Sequence, residues 1–133
     1  AMAPAAYETL RAHFADTGRT PDDYDLIVTG DLGKIGHAVV TRLFADDGVD
    51  LTGKYNDCGL MIYDLEAQDV HAGGSGCGCS AVVMCSYVMN QMRAGKLKNV
   101  LFIGTGALMS TVAVQQGQSV MGIGHLVHIS TSK

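Results

Sequence analysis

At 133 residues and a net charge of −4, the chain has room for one domain with a real core and shows no basic patch for nucleic acid. Its 47% hydrophobic and 17% charged residues argue against disorder. The longest apolar stretches run to about ten residues and contain glycine, short of a membrane span, and no secretory leader pattern is present. The expectation is a soluble, globular, single-domain chain.

Ala3 to Asp16 reads as a helix, with Pro4 suited to its first turn and Leu10 and Phe14 spaced for one apolar face. Gly18 ends it, and a polar turn follows. Tyr24 to Thr29 is a short strand whose run Leu26-Ile27-Val28 suits a buried central position. The turn Gly30-Asp-Leu-Gly33 leads into a helix through about Phe44, carrying Ile35, Val39, Val40 and Leu43. Leu51 to Asp69 is the least regular stretch. Ser80 to about Ala94 reads as a helix with Ala81, Val82, Val83, Met84, Cys85, Val88, Met89 and Met92 around nearly its whole circumference. A helix apolar all round is buried on more than one side. Val100 to Ile103 and Ile123 to Ile129 are the last strands, the second with Leu126 and His128 on one face and Val127 and Ile129 on the other. The order α-β-α-irregular-α-β-β predicts an α/β layer, a mixed sheet with helices on both faces.

Seventeen glycines in 133 residues is about 13%, nearly twice the usual share. They gather in Gly30–Gly36, Gly73–Gly78, Gly104–Gly106 and Gly117–Gly124. Such turns mark either tight α/β packing or a ligand site assembled from several loops. The four cysteines, Cys58, Cys77, Cys79 and Cys85, lack zinc-knuckle spacing and read as free thiols, with Cys85 in the core. The methionines Met61, Met84, Met89, Met92, Met109 and Met121 read as core or interface filler.

The strongest local signal is the run from Asp69 through His71, Ser75, Cys77 and Cys79 straight into the helix at Ser80. Successive N–H groups in a glycine-rich turn before a helix form a concavity for a phosphate, a carboxylate or an oxyanion. No P-loop is present, and the dinucleotide fingerprint is not matched. His71, Gly74, Ser75, Gly76 and Cys77 are the candidate ligand contacts, joined by Asp31 from the turn after the first strand. His71 is a general base, an anion-orienting group or a hydrogen-bonded loop histidine. Cys77 and Cys79 are either nucleophiles with lowered pKa at a helix start or small buried residues. Asp31 either caps the next helix or lines the site. Asn56, Asp57 and Asp64 show no EF-hand spacing around a cation, so no metal or cofactor is expected.

Four long segments carry a resemblance. Tyr24-Asp-Leu-Ile-Val-Thr-Gly-Asp-Leu-Gly-Lys-Ile-Gly-His37, Tyr55-Asn-Asp-Cys-Gly-Leu-Met-Ile-Tyr63, Asp69-Val-His-Ala-Gly-Gly-Ser-Gly-Cys-Gly-Cys-Ser-Ala81 and Leu101-Phe-Ile-Gly-Thr-Gly-Ala-Leu-Met-Ser110 closely resemble the stage V sporulation protein AD family. The resemblance implies a thiolase-like fold of two similar halves, of which residues 1–133 are the carboxy-terminal one. It implies a spore-forming bacterium and a dipicolinic acid-binding component of the SpoVA channel complex, binding the acid alone or as its calcium chelate. That component would act in uptake into the forespore and release in germination, as a peripheral protein on the cytoplasmic face of the inner membrane. Implied partners are other SpoVA proteins and the absent amino-terminal half, with self-association in its place.

The related thiolase and ketoacyl synthase enzymes carry a histidine in a turn just after the corresponding strand. Here Gly30 stands near its place, within Thr29-Gly-Asp-Leu-Gly33, and a second catalytic position falls between His71 and Cys79. Half a constellation implies binding rather than turnover. An acyl-transfer enzyme with an altered constellation is the alternative reading.

Overall fold

The computed structural model describes residues 1–76, 78–108 and 110–131. Helix α1 (Met2–Thr17) buries Ala3, Ala6 and Leu10 on one face. Its end is set by Gly18, whose φ of 68° lets its N–H reach back 2.9 Å to the Phe14 carbonyl. Thr20 and Asp23 then cap each other's backbone around Pro21. Strand β1 (Leu26–Thr29) follows, with Ile27, Val28 and Thr29 all buried. Asp25, just before it, accepts the N–H groups of Lys98 at 2.7 Å and Asn99 at 2.9 Å, which ties the two parallel strand starts together. Those two bonds hold its carboxyl below the usual range.

Helix α2 (Gly33–Asp46) buries Val40 and Phe44, and a short strand β2 (Tyr55–Asp57) runs directly into the one-turn helix α3 (Cys58–Met61). The helical stretch over 79–93 is α4 (Cys79–Val83), a π-helical turn (Met84–Val88) and α5 (Met89–Arg93). Strand β3 (Asn99–Leu108), helix α6 (Thr111–Gln115) and strand β4 (Met121–Ser130) complete the chain. The sheet order is β2-β1-β3-β4, with β1 parallel to both neighbours and β4 antiparallel to β3. This is the expected α/β class with a mixed sheet, of the kind found in a thiolase-like half domain.

Alternation along the strands divides the core in two. Ile27, Leu101 and Ile103 face α1 and α2, where they meet Leu10, Tyr24, Val40 and Phe44. Val28 and Val100 face the other way, against Cys58, Cys79, Val83, Met84, Val88 and Met92. The two sides differ in how completely they are covered.

Three expectations change. Strand β2 lies inside the stretch that showed no regular pattern, because three residues are too few for a period of two to be legible. The helix over 79–93 buries one face and exposes the other: Val82 is 53% and Tyr87 50% exposed, and Cys85 is exposed rather than in the core. Its apolar far side is an uncovered surface within this chain. Residues directly opposite on paired strands share a sheet face. The pairings Phe102 with Val127, Gly106 with Ile123 and Leu108 with Met121 therefore put exposed Val127, Ile123 and Met121 on that same open side. Met109, read as filler, lies outside the described residues.

Tyr24, almost fully buried, links the covered side. His13 Nε2 and its hydroxyl share a 2.6 Å hydrogen bond, and His128 meets its ring edge-on at 5.3 Å. Burial first, then the charges of His128 and Arg19, lower the His13 pKa from 6.5, with Asp16 opposing. A histidine depressed on folding contributes stability that is present above its unfolded pKa and lost as pH falls below it. Thermal unfolding should therefore show a midpoint that drops between about pH 7 and pH 5, and His13→Gln should flatten that drop; an unchanged slope in the variant would refute the assignment.

Candidate functional site

The carboxyl ends of parallel strands are where open α/β sheets bind ligands. Here that edge is organised by Asp57, the last residue of β2, whose side chain is fully buried. One carboxylate oxygen accepts the Thr29 hydroxyl at 2.5 Å and the Leu32 N–H at 3.0 Å. The other accepts the N–H groups of Gly33 at 2.9 Å and Gly59 at 3.0 Å. The starts of α2 and α3 are thus capped by one side chain. Thr29 also bonds the Tyr55 hydroxyl at 2.8 Å, and His37 stacks on the Tyr55 ring at 4.4 Å. Burial raises the Tyr55 pKa, only partly offset by its bond to Thr29.

The glycine loop over residues 71–76 is laid across this framework. Gly74 N–H donates to the Gly59 carbonyl at 2.7 Å, Gly73 N–H to Val70 at 3.0 Å, and the Ala72 carbonyl accepts Lys34 N–H at 2.8 Å. At Gly59 a β-carbon would stand 2.8 Å from the Asp57 carboxylate and would collide with the Gly74 carbonyl. Close backbone crossing therefore accounts for Gly59 and Gly73, whereas a β-carbon at Gly74 would meet the Ile62 and Tyr63 side chains.

Asp31 joins the remaining turns. It accepts the Gly76 N–H at 3.1 Å and the Thr105 hydroxyl at 3.1 Å. Three of the glycine clusters, around Gly30, Gly76 and Gly104, meet at this one carboxylate. Asp31 does not cap α2: Leu32 is the N-cap residue, without a side-chain bond, and Asp57 serves the first N–H groups instead. Gly30 sits beneath, where a β-carbon would lie 3.3 Å from Thr105 Oγ1 and 3.6 Å from Ser80 Cβ.

Of the sequence-derived candidates, Asp31 and Gly76 are in direct contact and Gly74 lies within the crossing. Ser75 is exposed near Gly76. His71 has a φ of 50° and a side chain 90% exposed, 3.8 Å from Asp69. Cys77 lies outside the described residues. Thr105 and Asp57 complete the arrangement and were not singled out as contacts; the Asn-Asp-Cys-Gly turn, an Asp two residues before a glycine at a helix start, is the signal for Asp57.

Cys79 does not have the lowered pKa expected at a helix start. Burial pushes it up, and Asp57 and Asp31 add to this. Cys58 is pushed up to about 12, chiefly by burial and then by Asp57. Neither thiol is poised as a nucleophile near neutral pH. Among the described residues, no group of three or more His, Cys, Asp or Glu side chains is placed to hold a metal ion. A cleft of about 470 Å³ opens beside the site, between Asn56, Met61 and Ile62 on one wall and Val82, Ser86 and Tyr87 on the other.

A mixed sheet with two unequal sides, and glycine turns gathered at its carboxyl edge, define an α/β chain consistent with a thiolase-like half domain. Residues 1–130 match the family model for stage V sporulation protein AD (SpoVAD), and the chain belongs to that family. Stage V sporulation protein AD of Bacillus subtilis (strain 168) is 50% identical over 125 residues, which are 94% of this chain and 37% of that protein. The chain thus spans little more than a third of the length of that relative. None of the helices in the described residues is long and apolar enough to cross a membrane.

Removing Asp57 strands three N–H groups and a hydroxyl in a buried place, whereas removing Asp31 frees two donors near water. Asp57→Ala should cost about 3–5 kcal/mol in urea unfolding and Asp31→Ala only about 1–2 kcal/mol. Equal losses would show that the two carboxylates do not divide the work between framework and site.

Proposed function

We propose that the protein is a non-enzymatic component of the SpoVA complex that binds dipicolinic acid, serving its uptake into the forespore and its release in germination. In this reading residues 1–133 are the carboxy-terminal thiolase-like domain of a longer protein. Its open side, with Val82, Tyr87, Ile123 and Val127, receives the remaining part of that protein. The whole sits peripherally on the cytoplasmic face of the inner membrane, against other SpoVA proteins. Family membership supports the sporulation role.

The observation that carries the ligand reading is the Asp31 clasp, which draws Gly76 and Thr105 together at the carboxyl edge of the sheet. Because Asp31 already fills the Gly76 N–H, a dicarboxylate ligand either displaces that side chain or arrives with its charge neutralised by a cation. His71, exposed at the loop's start beside Asp69, is the second group proposed to meet it. The raised thiol pKa values and the crowded Gly30 position favour binding over acyl transfer.

Calorimetric titration of dipicolinate, with and without calcium, into this chain and into a full-length family member tests the proposal. The full-length protein should bind, and Asp31→Ala and His71→Ala should each weaken binding about tenfold or more. A strong calcium requirement would favour the neutralised ligand; calcium-independent binding would favour displacement of Asp31. Unchanged affinity in both variants would make this half a scaffold, and acyl-CoA turnover abolished by His71→Ala would establish the enzyme instead.

A further inference from the structure

Helix α2 carries a second apolar stripe that its own fold does not use. Val40 and Phe44 point into the core, yet Ile35 is 73% exposed and Val39 38% exposed, with Ala38 between them. Together with Lys34, Arg42 and Leu43 they line an open trough of about 490 Å³, and a second trough toward Pro4 shares Ile35 and Val39. This surface lies on the α1 and α2 side of the sheet, away from Val82 and Tyr87.

The charges at the two ends of α2 are placed against the helix's own dipole. A helix favours acids in its first turn and bases in its last. Here the first turn has no acid and carries Lys34, while the last has no base and ends in Asp46. Among the described residues Lys34 makes no ion pair; Asp46 has only the surface pair with Arg42 at 3.1 Å, which is worth little in water.

We propose that α2 is a homotypic docking helix, which packs antiparallel against α2 of a second copy of this chain. A two-fold axis near Ala38 and Val39 places Lys34 of each copy within one turn of Asp46 of the other and opposes the two helix dipoles. The small side chain of Ala38 allows close approach at the crossing, and Ile35 of each copy covers the apolar stripe of the other. A 14-residue helix is only about 21 Å long, so the contact belongs to the weak, concentration-dependent class.

Sedimentation equilibrium over a wide concentration range tests this, in the unaltered chain and in a Tyr87→Glu background that charges the open face across the sheet. The expected result is a reversible dimer in both, abolished by Val39→Asp. Lys34→Glu should weaken it about fivefold, and Lys34→Glu combined with Asp46→Lys should restore it, because the reversed pair again faces its complement. Circular dichroism checks that each variant is folded; should Val39→Asp fail that check, the charge exchange still decides. A chain that is monomeric in the Tyr87→Glu background, or a double variant weaker than either single one, would overturn the proposal.

Discussion

The carboxylate of Asp57 is the constraint on which the rest of the site depends. It is buried at the end of a three-residue strand, and four donors converge on it from β1, α2 and α3. A strand that short contributes few ladder bonds of its own. Hydrogen bonds to a charged acceptor are worth about 1.5–3 kcal/mol each, roughly twice a neutral one, so this side chain outweighs the strand that carries it. The cost is equally specific. Both glycines that donate to it stand where a side chain would collide, Gly33 beneath the Ala72 carbonyl and Gly59 beneath Gly74. The carboxylate and the glycines form one device: the acid gathers backbone, and the glycines let that backbone come close enough to be gathered.

That coupling explains why glycine content alone left two readings open. Part of the enrichment is packing, since Gly59 and Gly73 let two chain segments cross. Part belongs to the Asp31 clasp at the strand ends, which Gly30 and Gly76 border. Nothing in composition separates these uses, because both ask the same thing of a residue, which is to have no β-carbon. Only the partner distinguishes them: a carbonyl of the same chain in one case, a side chain near solvent in the other.

Local periodicity made α1, β1, α2 and the helix over 79–93 legible, and Gly18 marked its helix end because an αL cap is a local requirement. Strand β2 was not legible, since its evidence is the parallel register of Tyr55 with Ile27 and of Asp57 with Thr29, which is long-range. The two aspartates were harder still. Asp31 stands at a helix start, where an acid normally caps, yet the capping is done by Asp57 from another strand, and Asp31 is left to reach Gly76 and Thr105. Sequence proximity predicts capping only when no distant group competes for the same N–H. Between the two readings of Cys79, nucleophile or small buried residue, burial decides: it raises the thiol pKa, and Asp57 and Asp31 raise it further.

The apolar character of the helix over 79–93 is the one pattern that speaks beyond the chain itself. A helix in a two-layer arrangement needs one apolar face, and Val83, Met84, Val88 and Met92 supply it. Val82 and Tyr87 then have no purpose in this layer, and neither do Ile123 and Val127 on strand β4, which share their side of the sheet. The cleft between Asn56 and Tyr87 borders that same uncovered side and lies beside the strand ends that Asp57 organises. A ligand held there would touch Asn56 and Ile62 on one wall and Val82 and Tyr87 on the other, and whatever covers the open side would close it over. Affinity would then report the joining of two parts as much as the chemistry of either, because a shared pocket is only as strong as the contact that closes it.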